Sequence, residues 1–137
     1  MKLTGYGLLM ATAMTCSAPV WAADWRLIDD SGGAFIYIDA DTVKADGDLV
    51  EFSQKQSFTT PQSSKSGQTY DYLIMGIAAN CMDQTLAMTR GAAYTNDGTL
   101  IDSTTVPKAR WAFAHPDLST TGQAELKFVC SRVQEKH

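Results

Sequence analysis

The chain has 137 residues, of which 45% are hydrophobic, 9% aromatic and 19% charged, and a formal net charge of −4. That length fits one ordinary domain, and the mix of residue types belongs to a globular protein rather than a disordered or fibrous one. An acidic chain without clustered cations lacks the footprint of a nucleic-acid binder, which works by displacing phosphate counterions.

Residues 1–22 read as a secretory signal peptide. Lys2 supplies the positive start, Leu8–Met14 a short apolar centre, and Val20-Trp21-Ala22 the pattern before a cut between Ala22 and Ala23. The apolar centre falls well short of the ~20 residues a bilayer span needs, so no transmembrane helix is expected. Losing this segment removes Lys2 and no acid, so −4 becomes −5 for residues 23–137. Cys16 offers a rival reading, as the acylated first residue of a lipoprotein. The triplet before it, Ala13-Met14-Thr15, has Met and Thr where small residues belong, so the ordinary cut is preferred. The expected location is the periplasm or cell envelope, with surface exposure left open.

Past the cut, Trp25–Asp29 reads as a short strand. Ser31-Gly32-Gly33 turns the chain into Ala34–Asp39, whose β-branched and aromatic residues suit a second strand. Asp39–Val43 and Ala45–Asp48 have turn chemistry. Leu49–Phe58 alternates: Val50, Phe52, Gln54, Gln56 and Phe58 share one face, and Glu51, Ser53, Lys55 and Ser57 the other, as in a half-buried strand. Thr59–Gln68, with Pro61 and Gly67, is expected to be a mobile polar loop. Tyr70–Cys81 is the most apolar strand, with Leu73, Met75, Ile77, Ala79 and Cys81 on one face. Leu86–Tyr94 follows as another, and Asn96-Asp97-Gly98 turns it into Leu100–Ser103.

The last segment is a helix candidate. Thr120 and Gln123 suit a capping box, and Leu126, Val129, Cys130 and Val133 recur at i, i+3, i+4 and i+7. Leu126, Phe128 and Cys130 also alternate as a strand would, and Gly122 weakens a helix. The helix is preferred because its stripe spans two turns.

Without the signal, two cysteines remain, Cys81 and Cys130, the even count that a disulfide in an exported chain requires. Their separation excludes a CxxC redox or zinc unit. A bridge closes a loop of about 50 residues, worth roughly 4 kcal/mol by chain entropy. Two reduced buried thiols are the alternative.

Machinery for catalysis is scarce. The histidines are His115 and His137, and His115 stands before Pro116 as a solvated loop residue would. Nucleophile elbow, metalloprotease helix, phosphate loop and dinucleotide fingerprint are all missing, and bonded cysteines offer no thiolate. Asp29-Asp30 and Asp39-Ala40-Asp41 lack an EF-hand's spacing and read as solvated turn acids. The chain is therefore read as a non-enzyme without metal or cofactor. Arg90, placed by alternation with Leu86, Met88, Ala92 and Tyr94, reads as half of a structural ion pair or as an anion contact. Trp111 reads as a packing residue, with an exposed recognition patch as the alternative.

Taken together, Trp25, Tyr37-Ile38-Asp39, Thr42-Val43, Gly47, Phe52, Tyr70, Cys81, Arg90, Tyr94 with Gly98, Trp111, Pro116, Ser119, Leu126 and Val129-Cys130 form a pattern. In that pattern the chain resembles the surface-adhesin protein E-like family of Gram-negative envelope proteins, from about Trp25 to Cys130. The resemblance implies an α+β fold: a single antiparallel sheet with a C-terminal helix packed on one face, tied by a Cys81–Cys130 disulfide. Residues 23–137 then form that domain. The implied function is an exported binding module that contacts host matrix or serum proteins through a distributed surface. The alternative is a periplasmic accessory without adhesive activity, holding a small apolar ligand or haem between sheet and helix. For the first reading, the expected surface is the 59–70 segment and the sheet face away from the helix, with Lys55, Gln62, Lys65 and Tyr70 as contact residues.

Overall fold

The structure, a computed structural model, describes residues 23–30, 32–117 and 120–134. The expected signal peptide, Cys16 and the cut after Ala22 lie outside the described residues, as do Ser31, Ser119 and His137.

Among the described residues seven strands form one antiparallel sheet: β1 (Trp25–Asp29), β2 (Ala34–Asp39), β3 (Lys44–Asp46), β4 (Leu49–Ser63), β5 (Thr69–Asn80), β6 (Thr85–Tyr94) and β7 (Leu100–Thr105). The order is β1-β2-β4-β5-β6-β7, and β3 pairs with the start of β4. Neighbours in space are thus near neighbours in sequence, as tight turns and short connections favour. The helix α1 (Thr121–Gln134) lies over β1, β4, β5 and β6.

Period-two alternation builds the core. Ile36 and Ile38 of β2, Val50 and Phe52 of β4, and Ile77 and Ala79 of β5 point to the helix side and are buried. Leu126 and Val129 come down from α1 to meet them, and these two with Ile38 are at most 1% exposed. Each such side chain contributes about 1.5–3 kcal/mol by leaving water. The Cys81–Cys130 disulfide joins the turn after β5 to α1 across a Cα separation of 5.8 Å.

Three local expectations are corrected. Thr59–Gln68 is not a loop. β4 runs on to Ser63, pairing Gln62 with Tyr70 and Ser63 with Thr69, and the turn is confined to residues 64–68. Pro61 is tolerated because it falls where the β4–β5 register breaks, between Ser57 and Gln62, so no ladder bond is lost there. The Asp39–Asp48 turn region also holds a 3-10 turn, Ala40–Thr42, and strand β3. Finally, the capping box does not form. The Thr120 hydroxyl donates to the Asp117 carbonyl, and the Gln123 amide side chain donates to the Pro116 carbonyl.

Gly122 has a packing reason to sit in the helix. A Cβ built there lies 2.4 Å from Pro116 Cβ, closer than carbon atoms approach. Gly122→Ala is therefore expected to destabilise by about 1–3 kcal/mol through overpacking, against a helix-propensity gain of about 1. Thermal unfolding checks this: a melting temperature raised by the substitution contradicts the close approach.

Candidate functional site: the open face of the sheet

On the face away from the helix, register sets side chains in rows, because residues directly opposite share a side. One row runs Leu27, Tyr37, Lys55, Ile74, Ala92 and Ser103. The next runs Phe35, Ser57, Tyr72, Tyr94 and Leu100, and the third Ser53, Gly76, Arg90 and Thr105. Leu27, Phe35 and Leu100 are 51%, 40% and 53% exposed, and Tyr37, Tyr72, Ile74 and Tyr94 are half-buried. Tyr72 and Tyr94 stack at 5.3 Å between centroids and 15° between planes, and Lys55 Nζ stands 4.6 Å from the Tyr72 ring centre. Such contacts fix flat aromatic faces and hold a cation beside them.

None of these three rows contains an acid. Asp39, two residues beyond Tyr37, is buried and accepts from the backbone amides of Asp24 and Asp41. One row beyond Ser53, Glu51 lies on the same face opposite Lys44 of β3, so with Lys55 and Arg90 the cations there outnumber the acid on an otherwise acidic protein.

Arg90 departs from its expected setting. Thr89 is an extra residue on β6, since Gly76 pairs with Arg90 while Ile77 pairs with Met88. A one-residue bulge moves everything beyond it to the other side of the sheet. Arg90 therefore shares the open face with Ala92 and Tyr94, opposite Leu86 and Met88. It is exposed, and among the described residues no carboxylate stands in ion-pair range of it. Its Nη2 instead donates to Ser53 Oγ at 2.8 Å.

To reach Ser53 the side chain crosses Gly76, where a Cβ would lie 2.6 Å from Arg90 Cγ. The Ser53 amide in turn donates to Thr42 Oγ1 at 2.9 Å, tying β4 to the 3-10 turn. A hollow of about 280 Å3 opens beside the guanidinium, lined in part by Lys44, Glu51, Ser53 and Thr89.

Lys55 is thus brought together with Arg90 and the tyrosines. Gln62, Lys65 and Tyr70 are not; they belong to the β4–β5 hairpin tip. Gln62 donates to the Thr60 carbonyl, Lys65 is exposed on the turn, and Tyr70 packs edge-on against Phe58 at 5.9 Å. Trp111 is half-buried and donates from Nε1 to the Val106 carbonyl at 2.9 Å, which fits the packing reading. His115 is exposed, with Nδ1 3.2 Å from the Gln84 carbonyl oxygen. Of the turn acids, Asp39 holds the 3-10 turn and Asp29 accepts from the Thr121 hydroxyl of α1, whereas Asp30 and Asp41 are exposed. Sequence reasoning missed Phe35, Tyr37, Tyr72 and Tyr94 as surface residues. Parity was the signal for Phe35, Tyr37 and Tyr72, each of which alternates with a core position on its own strand, whereas Tyr94 reaches the open face only through the Thr89 bulge.

Among the described residues no helix is long and apolar enough to cross a membrane. One sheet face is sealed by a disulfide-bonded helix, and the other is open, aromatic and locally basic. The family model for Surface-adhesin protein E matches residues 25–131, and the chain belongs to that family. Its fold is similar to that of Haemophilus influenzae protein E, with a TM-score of 0.56 at 15% identity over 79% of this chain and 91% of that one. The crystal structure of protein E from non-typeable Haemophilus influenzae gives 0.58 at 14% over 86% and 84%. Identity this low carries the fold alone. No curated protein sequence matches the chain significantly.

Proposed function

We propose that this protein is an exported, non-enzymatic binding module of the cell envelope. It contacts a host matrix or serum protein through its open sheet face and the β4–β5 hairpin. The observation that carries this reading is the run of exposed or half-buried apolar and aromatic side chains on that face, with Lys55 and Arg90 among them. Aromatic and arginine side chains dominate the energetics of protein interfaces. Family membership supports the same class of function. The haem or apolar-ligand alternative is less favoured, because Ile38, Phe52, Leu126 and Val129 fill the space between sheet and helix.

Binding to immobilised matrix and serum proteins tests this. Tyr72→Ala is expected to weaken capture at least tenfold, and replacement of residues 62–67 to weaken it less. His115→Ala is expected to change nothing. Unchanged capture by the first two variants, at confirmed melting temperatures, removes the distributed-surface reading. Protease shaving of intact cells separates surface from periplasm: a protein left untouched belongs to the accessory alternative.

A further inference from the structure

The strip from Arg90 to Tyr72 has features that a general contact surface does not need. Arg90 is pre-set: Gly76 leaves room for its stem, and Ser53 orients its fork. A guanidinium carries five N–H donors in a plane, and Ser53 engages one of its nitrogens, so most of the fork faces outward. Planar forks suit sulfate and carboxylate oxygens two at a time. Ser53 and Lys55 are successive residues on this face of β4, roughly 7 Å apart along the strand. Lys55 in turn leads to the stacked rings of Tyr72 and Tyr94.

We propose that this strip binds a sulfated polysaccharide, a proposal that rests on the open face being the binding surface. Arg90 and Lys55 hold anionic groups along the chain, and the tyrosine faces pack against the apolar faces of its sugar rings. Two observations favour a glycan over an acidic peptide. The strip lies on β4, β5 and β6, central strands whose ladder bonds are already made, so an extended peptide finds no free backbone to pair with. It is also shallow and open, suited to a chain lying across it. Lys44 adds a second cation to the hollow beside Arg90, offsetting Glu51. Local charge does the selecting, because the chain as a whole is acidic.

Heparin is the probe, with chemically desulfated heparin and poly-glutamate as comparisons, titrated against the full protein at low and physiological salt. The unmodified protein is expected to bind heparin with an affinity that falls as salt rises. Arg90→Gln with Lys55→Gln is expected to weaken binding at least tenfold. Arg90→Lys, which keeps the charge but loses the fork, is expected to fall between. Lys127→Gln, an exposed change on the helix, is expected to bind as the parent does. Desulfated heparin is expected to fail. Absence of heparin binding, an undiminished double variant, equal loss in Lys127→Gln, or tighter binding of poly-glutamate each overturns the proposal. If heparin fails while Tyr72→Ala still loses its protein partner, the glycan falls and the surface reading stands. If neither Tyr72→Ala nor the replacement of residues 62–67 loses partner binding, the surface reading falls as well.

Discussion

Cys81→Ser is expected to lower the melting temperature by about 15 °C while leaving the sheet folded. The disulfide spans 49 residues of sequence, and a loop of that length, when cross-linked, removes roughly 4 kcal/mol of chain entropy from the unfolded state. For a domain of this size each kcal/mol moves the midpoint by about 4 °C. The loss falls unevenly. Helix α1 has 14 residues, marginal for a helix in isolation, and is held by the bridge and the Leu126–Val129 contact. The sheet keeps its ladder whether or not the bridge exists. Hydrogen exchange on the variant is therefore expected to show α1 amides opening well before those of β4 and β5. A midpoint shift of only a degree or two, or simultaneous opening of helix and sheet, rules out this role for the bridge.

Glu125→Gln is expected to flatten a stability loss that the unmodified protein suffers as pH rises. Glu125 lies on the buried side of α1 at 3% exposure, and its Oε1 has no hydrogen-bond partner among the described residues. Burial disfavours the charged carboxylate and pushes its pKa from 4.5 up to about 8. Between those values the folded state holds a proton that the unfolded state has released, so stability falls with rising pH across that window and levels off above it. A displacement of that size corresponds to a few kcal/mol.

Glutamine keeps the shape and stays neutral, so the variant is expected to be the more stable of the two at pH 8.5 and similar at pH 5. Asp97 acts in a separate range. Hydrogen bonds from Thr95 and Thr99 hold its carboxyl down near 2, so its contribution is present above the unfolded value of 3.8 and lost as pH falls below it. Urea unfolding of both proteins at pH 5 and 8.5 decides the matter. An equal pH dependence in the two excludes Glu125 as its source.

Most of the fold was legible in the amino-acid sequence because the signals were local. Alternation in Leu49–Phe58 and Tyr70–Cys81 marked two central strands, and the stripe Leu126, Val129, Cys130, Val133 marked the helix against its strand rival. The cysteine count favoured the bridge, since both sulfurs lay on apolar faces that had to meet. What the sequence could not supply was register. Whether Thr59–Ser63 pairs or loops depends on the strand it meets, and polar residues with a proline fit either state. The side Arg90 takes depends on one extra residue, Thr89, whose bulge appears only when β6 is laid against β5. Gly122 reads as a weak point until Pro116 is seen lying against it, and the need for Gly76 shows only once Arg90 crosses it. Sequence alone thus determined the elements, the class of fold and the covalent tie, because periodicity and cysteine parity act within a segment or a simple count. Tertiary structure decided which side chains share the open face, because that is set by pairing between strands distant in the chain, where a slip of one residue exchanges the two faces.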